Sequence, residues 1–185
     1  NNTVTLKGSS TSTLADNTTF SDCTITVTDE AGNVGNTITI TEFTVDTTAS
    51  TLIEVTAVTT PTNDTSPDYS FSSSQTGTIT YGGSCTSDNS TATASDNNTI
   101  TLKQSDNTTF DENTYNDCTL TVTDNASNAV TLSISSFVID TTAPTLVSTS
   151  PADSDNLTSI SRSIEVEFSE EMDNISTTTS GTTCA

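Results

Sequence analysis

The chain contains 185 residues, of which 24 are acidic and 3 are basic, so its formal net charge is −21. A negative field of this strength repels nucleic acid and anionic lipid, which excludes both classes of partner. The sequence contains no histidine, which excludes Ser-His-Asp and Cys-His catalysis and histidine zinc ligands. No apolar run approaches the roughly 20 residues of a membrane helix. No signal peptide is found and residue 1 is Asn, so we expect a mature product or a piece of a longer chain.

Apolar and polar residues alternate with a period of two along the chain, and no segment shows helical periodicity. In Cys118–Asp124 the cysteine, leucine and valine share one face and the threonines share the other, as in a half-buried strand. Turn-rich segments separate such stretches and leave no room for crossover helices, which predicts an all-β, antiparallel sandwich. The strands predicted in the middle of the chain are Leu52–Val58, Tyr69–Ser73, Thr78–Tyr81, Ser90–Ala94, Thr99–Lys103, Thr114–Thr123 and Val130–Ile139.

The sequence repeats itself at a spacing of roughly 95 residues. The segment Asp22–Asp29 returns as Asp117–Asp124, and the segment Phe43–Ala49 returns as Phe137–Ala143. This period is the size of one sandwich domain and is longer than a solenoid unit of about 20 to 50 residues. The repeat predicts the C-terminal half of a module at residues 1–48, a complete module at 49–142 and the N-terminal half of a module at 143–185.

The residues at the ends of the modules carry a family resemblance. Thr28–Asn33 reads Thr-Asp-Glu-Ala-Gly-Asn, and a strand and Val45-Asp-Thr-Thr-Ala49 follow it. This pattern resembles the bacterial Ig-like repeat of very large surface proteins and adhesins. Residues 139–144 match the Asp-Thr-Thr-Ala-Pro junction of that repeat in full, whereas Ser50 replaces the proline after the first junction. Ser127 stands in the second turn where the family has glycine.

The tail carries a second resemblance. Residues 164–173 contain Val-Glu-Phe-Ser-Glu-Glu-Met-Asp, which resembles a sister Ig-like type of S-layer and surface proteins. Together the resemblances imply tandem Ig-like modules in a non-enzymatic, extracellular structural protein, a segment of a stalk or fibre on a prokaryotic cell surface. The alternative is an adhesive module that recognises a glycan or a protein through loops at the sandwich end. Paired carboxylates such as Glu165 and Glu167 alternate on the outer face of a strand, so no catalytic residue is assigned.

The four cysteines suggest two pairings. Strand phase places Cys85 and Cys118 on inward faces, where they could form the inter-sheet disulfide of many Ig domains; two buried thiols are the alternative. Tyr115 is a candidate tyrosine corner, although it lies three residues before Cys118 rather than two. We hypothesise that the C-terminal half-module of one copy completes the N-terminal half-module of the next, with Cys184 bonded to Cys23 between copies. An arbitrary window cut from a longer repetitive chain is the alternative.

Five carboxylates are candidate calcium ligands. Asp46 and Asp140 lie at the junctions, and Asp29, Glu30 and Asp124 lie in turns near module ends. Members of the family that this chain resembles often stiffen their junctions with calcium held by such carboxylates and by backbone carbonyls. The alternative is that these aspartates cap their own turns through the backbone. No cofactor is required in either case.

The sequence also contains Asn-x-Ser/Thr sites for glycosylation, most of them in predicted turns where a glycan would be solvated. A chain rich in Asn, Ser and Thr also produces such sites by chance. The expected partners are copies of the chain itself or adjoining Ig-like modules, besides a glycan or protein adhesion target. The candidate glycosylation sites are Asn1, Asn17, Asn63, Asn89, Asn97, Asn107, Asn125, Asn156 and Asn174.

Overall fold

A computed structural model of the chain describes residues 2–8, 12–150 and 165–172. Every regular element in these ranges is a β-strand and none is a helix, which confirms the all-β prediction. Accordingly, the described ranges contain no helix suited to crossing a membrane. The chain divides into two compact units, Asn1–Asp140 and Thr141–Ala185.

The strands fall into three groups along the chain. Residues 1–48 (the N-terminal half) contain, among the described residues, β1 (Thr18–Phe20), β2 (Thr24–Ile25), β3 (Ile38–Thr39) and β4 (Phe43–Val45). Residues 49–140 (the central module) contain β5 (Leu52–Thr56), β6 (Asp68–Ser73), β7 (Gly77–Gly82), β8 (Cys85–Thr86), β9 (Thr91–Ala92), β10 (Ser95–Thr101), β11 (Lys103–Gln104), β12 (Asn113–Tyr115), β13 (Thr119–Thr123), β14 (Ala129–Ser133) and β15 (Phe137–Ile139). The second unit contains the C-terminal hairpin, β16 (Leu146–Ser150) and β17 (Glu165–Phe168).

The central module is an antiparallel sandwich with the architecture of an Ig-like domain. One sheet has the strand order β10-β6-β5, and the other has the order β14-β13-β7-β9. Two short pairs, β11 with β8 and β12 with β15, complete the module. Alternate side chains of these strands point inward and form one core. The buried apolar residues of this core are Val58, Tyr69, Phe71, Ile79, Cys85, Ala92, Ile100, Leu102, Phe110, Tyr115, Cys118, Leu120, Val122, Ile134, Phe137 and Ile139.

Three predicted strands are each divided between two sheets. The predicted strand Thr114–Thr123 is split into β12 and β13, which pair with different partners. Tyr115 and Cys118 are both buried although they lie three residues apart, which a continuous strand would place on opposite faces. The predicted strand Val130–Ile139 breaks between β14 and β15 in the same way. The predicted strand Thr99–Lys103 is divided between β10 and β11, which also pair with different partners. The prediction of single strands was therefore wrong at these three places, because the chain leaves one sheet and enters another.

The break before Cys118 also creates the tyrosine corner. The hydroxyl of Tyr115 donates a hydrogen bond of 3.1 Å to the backbone carbonyl of Asp111, four residues upstream. Its ring packs against Phe110 at a centroid distance of 4.5 Å and stacks on Phe137 at 5.4 Å. The three-residue spacing to the cysteine is therefore compatible with this Ig-type feature.

A carboxylate joins the two sheets of the central module. Glu54 on β5 accepts hydrogen bonds from the backbone N–H of Ser135 at 3.0 Å and from its hydroxyl at 2.7 Å. Partial burial opposes ionisation of Glu54, but the two hydrogen bonds from Ser135 outweigh it and lower the pKa of Glu54 below its ordinary value. The ionised form therefore holds the segment after β14 against the opposite sheet.

This contact predicts a pH dependence of stability. Since the pKa of Glu54 is lower in the folded state than in the unfolded chain, its contribution is present above the unfolded value of about 4.3 and is lost as the pH falls through the folded value. We expect the melting temperature of the Glu54→Gln variant to fall less steeply than that of the wild type below about pH 5. Asp96→Asn, which alters an exposed carboxylate of the same module, is the control. Equal slopes for the wild type and Glu54→Gln would contradict the prediction.

Candidate functional site

The N-terminal half has the strand pairing of the second half of the central module. Phe20 on β1 lies opposite Phe43 on β4, as Tyr115 lies opposite Phe137 between β12 and β15. The two aromatic pairs have the same geometry, with centroid distances of 5.4 Å in both cases and interplanar angles of 22° and 20°. The other strand pair also keeps its register, with Thr24 opposite Thr39 between β2 and β3 and Thr119 opposite Ser133 between β13 and β14.

The N-terminal half and the second half of the central module differ in how far their apolar side chains are buried. Val122 is 0% exposed in the central module, whereas its repeat equivalent Val27 is 67% exposed. The segment Asn2–Lys7 likewise returns as Asn98–Lys103, and Leu102 is 0% exposed whereas its equivalent Leu6 is 37% exposed. The apolar face that forms the core of the central module is therefore exposed or only half-buried in the N-terminal half. An exposed apolar face with polar surroundings is typical of a protein interaction site.

Cys23 lies on this half at the position that Cys118 has in the central module. Cys118 is buried and forms a disulfide with Cys85, as the strand phase predicts, with a distance of 5.2 Å between the Cα atoms. Cys23 is a free, half-buried cysteine. Cys184, its predicted partner in another copy, lies outside the described residues, so the pairing between copies stays a prediction.

The C-terminal hairpin shares a pair of end hydrogen bonds with the first hairpin of the central module. The N–H of Ser169 donates to the carbonyl of Thr145 at 2.9 Å, and the N–H of Thr145 donates to the hydroxyl of Ser169 at 2.9 Å. At the equivalent end of β5 and β6, Ser74 and Thr51 form the same two bonds at 3.1 and 2.8 Å. The second unit thus repeats the pair of hydrogen bonds found at this end of the first hairpin of the central module.

The apolar side chains of this hairpin are also more exposed than their counterparts. Val166 on β17 is 47% exposed, whereas the equivalent Phe71 on β6 is fully buried. Leu146 on β16 is exposed, whereas the equivalent Leu52 is half-buried against the core. The apolar side chains of the C-terminal hairpin are therefore less covered than those of β5 and β6.

Two turns share a pattern of hydrogen bonds. The carboxylate of Asp124 accepts from the backbone N–H of Ala126 and of Asn128 at 2.8 and 2.9 Å, and from the side-chain amide of Asn128 at 3.0 Å. Asp29 accepts two bonds of 2.7 Å from Asn33 in the same way. The asparagine side chains are the main reason why the pKa of each aspartate is lowered. The two asparagines were not predicted as functional residues, although the repeated Asp-x-x-x-Asn spacing marks them.

In these hydrogen bonds the aspartates cap their own turns, which is the alternative to calcium binding by the same carboxylates. At the first junction, Asp46 likewise accepts a bond of 3.0 Å from the N–H of Thr48, two residues on. Glu30 is exposed, and the backbone N–H of Asp140 donates to the carbonyl of Thr62 at 2.9 Å. Within the described ranges, no three acidic, cysteine or histidine side chains converge as a metal site would require. Calcium binding stays a prediction.

The candidate glycosylation sites in the described ranges are all on the surface, which leaves room for a glycan. Glycosylation itself stays a prediction. Three candidates, Asn1, Asn156 and Asn174, lie outside the described residues. The exposed asparagines are Asn17, Asn63, Asn89, Asn97, Asn107 and Asn125.

Ser127 gives a stability test of the second turn. Its φ is 73°, in the left-handed region, and the equivalent residue of the first turn is Gly32 with a φ of 90°. A left-handed conformation costs an L-residue about 1–2 kcal/mol, and glycine loses about 0.5–1 kcal/mol more backbone entropy on folding. We expect Ser127→Gly to raise the free energy of unfolding by about 0.5 kcal/mol in thermal unfolding. Ser136→Gly, at an exposed serine outside the left-handed region, should destabilise instead.

The C-terminal part of the chain matches a known family. Residues 140–185, which include the C-terminal hairpin, match the family described as bacterial Ig-like domain. Domains of this type are generally non-enzymatic and typically occur on extracellular or surface proteins, which indicates a surface-associated structural or adhesive module. Comparisons with curated proteins and with solved structures found no match.

Proposed function

We propose that this protein is a non-enzymatic segment of an extracellular stalk or fibre on a prokaryotic cell surface, in which Ig-like modules follow one another and exposed half-modules are completed by other modules. The observation that carries this proposal is the N-terminal half, which has the strand register of a finished Ig-like module while its core face is exposed. The family match of residues 140–185 supports the surface location and the structural role.

The central module indicates what covers the exposed face. In that module β13 pairs with β14 on one side and with β7 on the other. Among the described residues, the equivalent strand β2 pairs with β3 alone. Its second edge is therefore positioned to take a strand equivalent to β7, by main-chain pairing of the β-augmentation type. The occupant we propose is the first half of an Ig-like module, which residues 141–185 of a second copy supply.

Burial and charge act in opposite directions in this assembly. Covering side chains such as Val27 removes apolar surface from water, and burying one such side chain contributes about 1.5–3 kcal/mol. Copies that each carry a formal charge of −21 repel one another. At physiological ionic strength this repulsion decays over a Debye length of about 8 Å. Association should therefore strengthen as salt is added.

Sedimentation of the 185-residue chain under oxidising and reducing conditions tests the proposal. We expect oligomers whose size increases with concentration, and a disulfide-linked ladder on a non-reducing gel. Cys23→Ser and Cys184→Ser should each abolish the covalent ladder and leave weaker, non-covalent association. A chain that stays monomeric at high concentration and high salt, with Cys23 and Cys184 both free, would refute completion by a second copy.

A further inference from the structure

The junction before the central module is tied to a turn of that module. The side-chain amide of Asn128 donates to the backbone carbonyl of Asp46 at 3.1 Å and to the carboxylate of Asp124 at 3.0 Å. Asp46 lies 82 residues earlier, where the N-terminal half passes into the central module. Asn128 is half-buried by these contacts. The Asn128 amide therefore connects the end of the N-terminal half to a turn of the central module.

The turn Asp29–Asn33 has the same groups in the same arrangement as the turn Asp124–Asn128. The backbone N–H of Asp29 donates to the carbonyl of Asn33 at 2.9 Å, as Asp124 donates to Asn128 at 3.0 Å. The side-chain amide of Asn33 is held by the Asp29 carboxylate at 2.7 Å. An amide nitrogen carries two donor hydrogens, so one remains for a second acceptor. Asn33 is exposed, whereas Asn128 is half-buried.

We infer that the turn Asp29–Asn33 is a docking site for the junction of a second copy, with the amide of Asn33 donating to the backbone carbonyl of Asp140 in that copy. The repeat equates Asp140 with Asp46, because Phe137–Ala143 corresponds to Phe43–Ala49. This inference rests on the proposed completion of half-modules. When residues 141–185 of one copy cover the N-terminal half of another, Asp140 directly precedes the covering segment. Asp46 directly precedes the central module in the same way.

The chemistry of this contact suits a highly acidic protein. The donor is a neutral amide and the acceptor is a neutral carbonyl, so the contact adds no charge to surfaces that already repel one another. Because Asp29 holds the Asn33 side chain in place before docking, little rotamer entropy remains to be lost on binding. The same hydrogen bond would then recur at each junction of the fibre and make each junction alike.

The test measures association of full-length variants by sedimentation equilibrium. Asn33→Ala should weaken association about 2- to 10-fold relative to Asn36→Ala, since one net hydrogen bond is lost per contact. Asn36 is an exposed residue of the same hairpin and is the matched control. Asp29→Ala, which removes the turn contacts but keeps the Asn33 amide, should weaken association less than Asn33→Ala. Thermal unfolding of the central module should be unchanged in all three variants.

Three outcomes would overturn the inference, and they separate it from the proposed function. If the chain associates and Asn33→Ala behaves like Asn36→Ala, the docking contact is absent while the completion of half-modules stands. If Asp29→Ala weakens association as strongly as Asn33→Ala, the amide only shapes its own turn. If the wild-type chain does not associate, completion by a second copy fails and the docking contact fails with it.

Discussion

Replacing both Cys85 and Cys118 by alanine should lower the free energy of unfolding of the central module by about 4 kcal/mol. The two residues are separated by 33 positions, and closing a loop of this length removes about that much chain entropy from the unfolded state. Both cysteines are buried in the core, so their truncation also removes packing contacts. For a domain of this size, the melting temperature should fall on the order of 20 °C, as measured by circular dichroism.

The repeat provides a matched control for this experiment. Cys23 has the position of Cys118 in the N-terminal half, but it is free and only half-buried. Cys23→Ala should leave the unfolding of the central module within about 0.5 kcal/mol of the wild type. If the Cys85/Cys118 double variant unfolds within about 1 kcal/mol of the wild type, the disulfide does not constrain the unfolded chain as the loop-closure argument requires.

Alternation and repetition make the fold class and the Cys85–Cys118 pairing predictable from sequence, because strand phase alone decides which side chains point inward. The places where the chain changes sheets are harder to predict. Residues 118–123 alternate as one strand would, but the apolar phase changes between Tyr115 and Cys118, and the burial of both residues marks the break. Long-range packing decides where that break falls, because β12 and β13 pair with different strands.

The candidate site was only partly predictable for a related reason. Val27 and Val122 have nearly identical neighbours in sequence, yet one is exposed and the other is buried. What separates them is whether a covering sheet is present, which local sequence does not encode. The role of Asn128 was missed because its acceptor is a backbone carbonyl 82 residues away, and a carbonyl carries no side-chain signal. The spacing of the turn marks the asparagine but cannot identify its distant partner.

A second pair of equivalent substitutions compares the core of the central module with that of the N-terminal half. Phe137→Ala should lower the free energy of unfolding by about 3–5 kcal/mol, because a fully buried ring is removed from the core. The lost contacts include the stack on Tyr115 and the edge contact with Phe110 at 5.3 Å. Chemical denaturation followed by intrinsic tyrosine fluorescence provides the measurement, since the chain contains no tryptophan.

Phe43→Ala makes the same change at the repeat-equivalent position. Phe43 stacks on Phe20 with the geometry of the central pair, but it is only half-buried, so the monomer should lose less than half of the stability lost in Phe137→Ala. In an assembled fibre the same ring would be covered, and its removal should then weaken association by at least tenfold, which corresponds to about 1.4 kcal/mol. The difference between monomer and assembly is the informative quantity. If Phe43→Ala destabilises the monomer as strongly as Phe137→Ala and leaves association unchanged, the N-terminal half is already a finished core, and completion by another module has no physical basis.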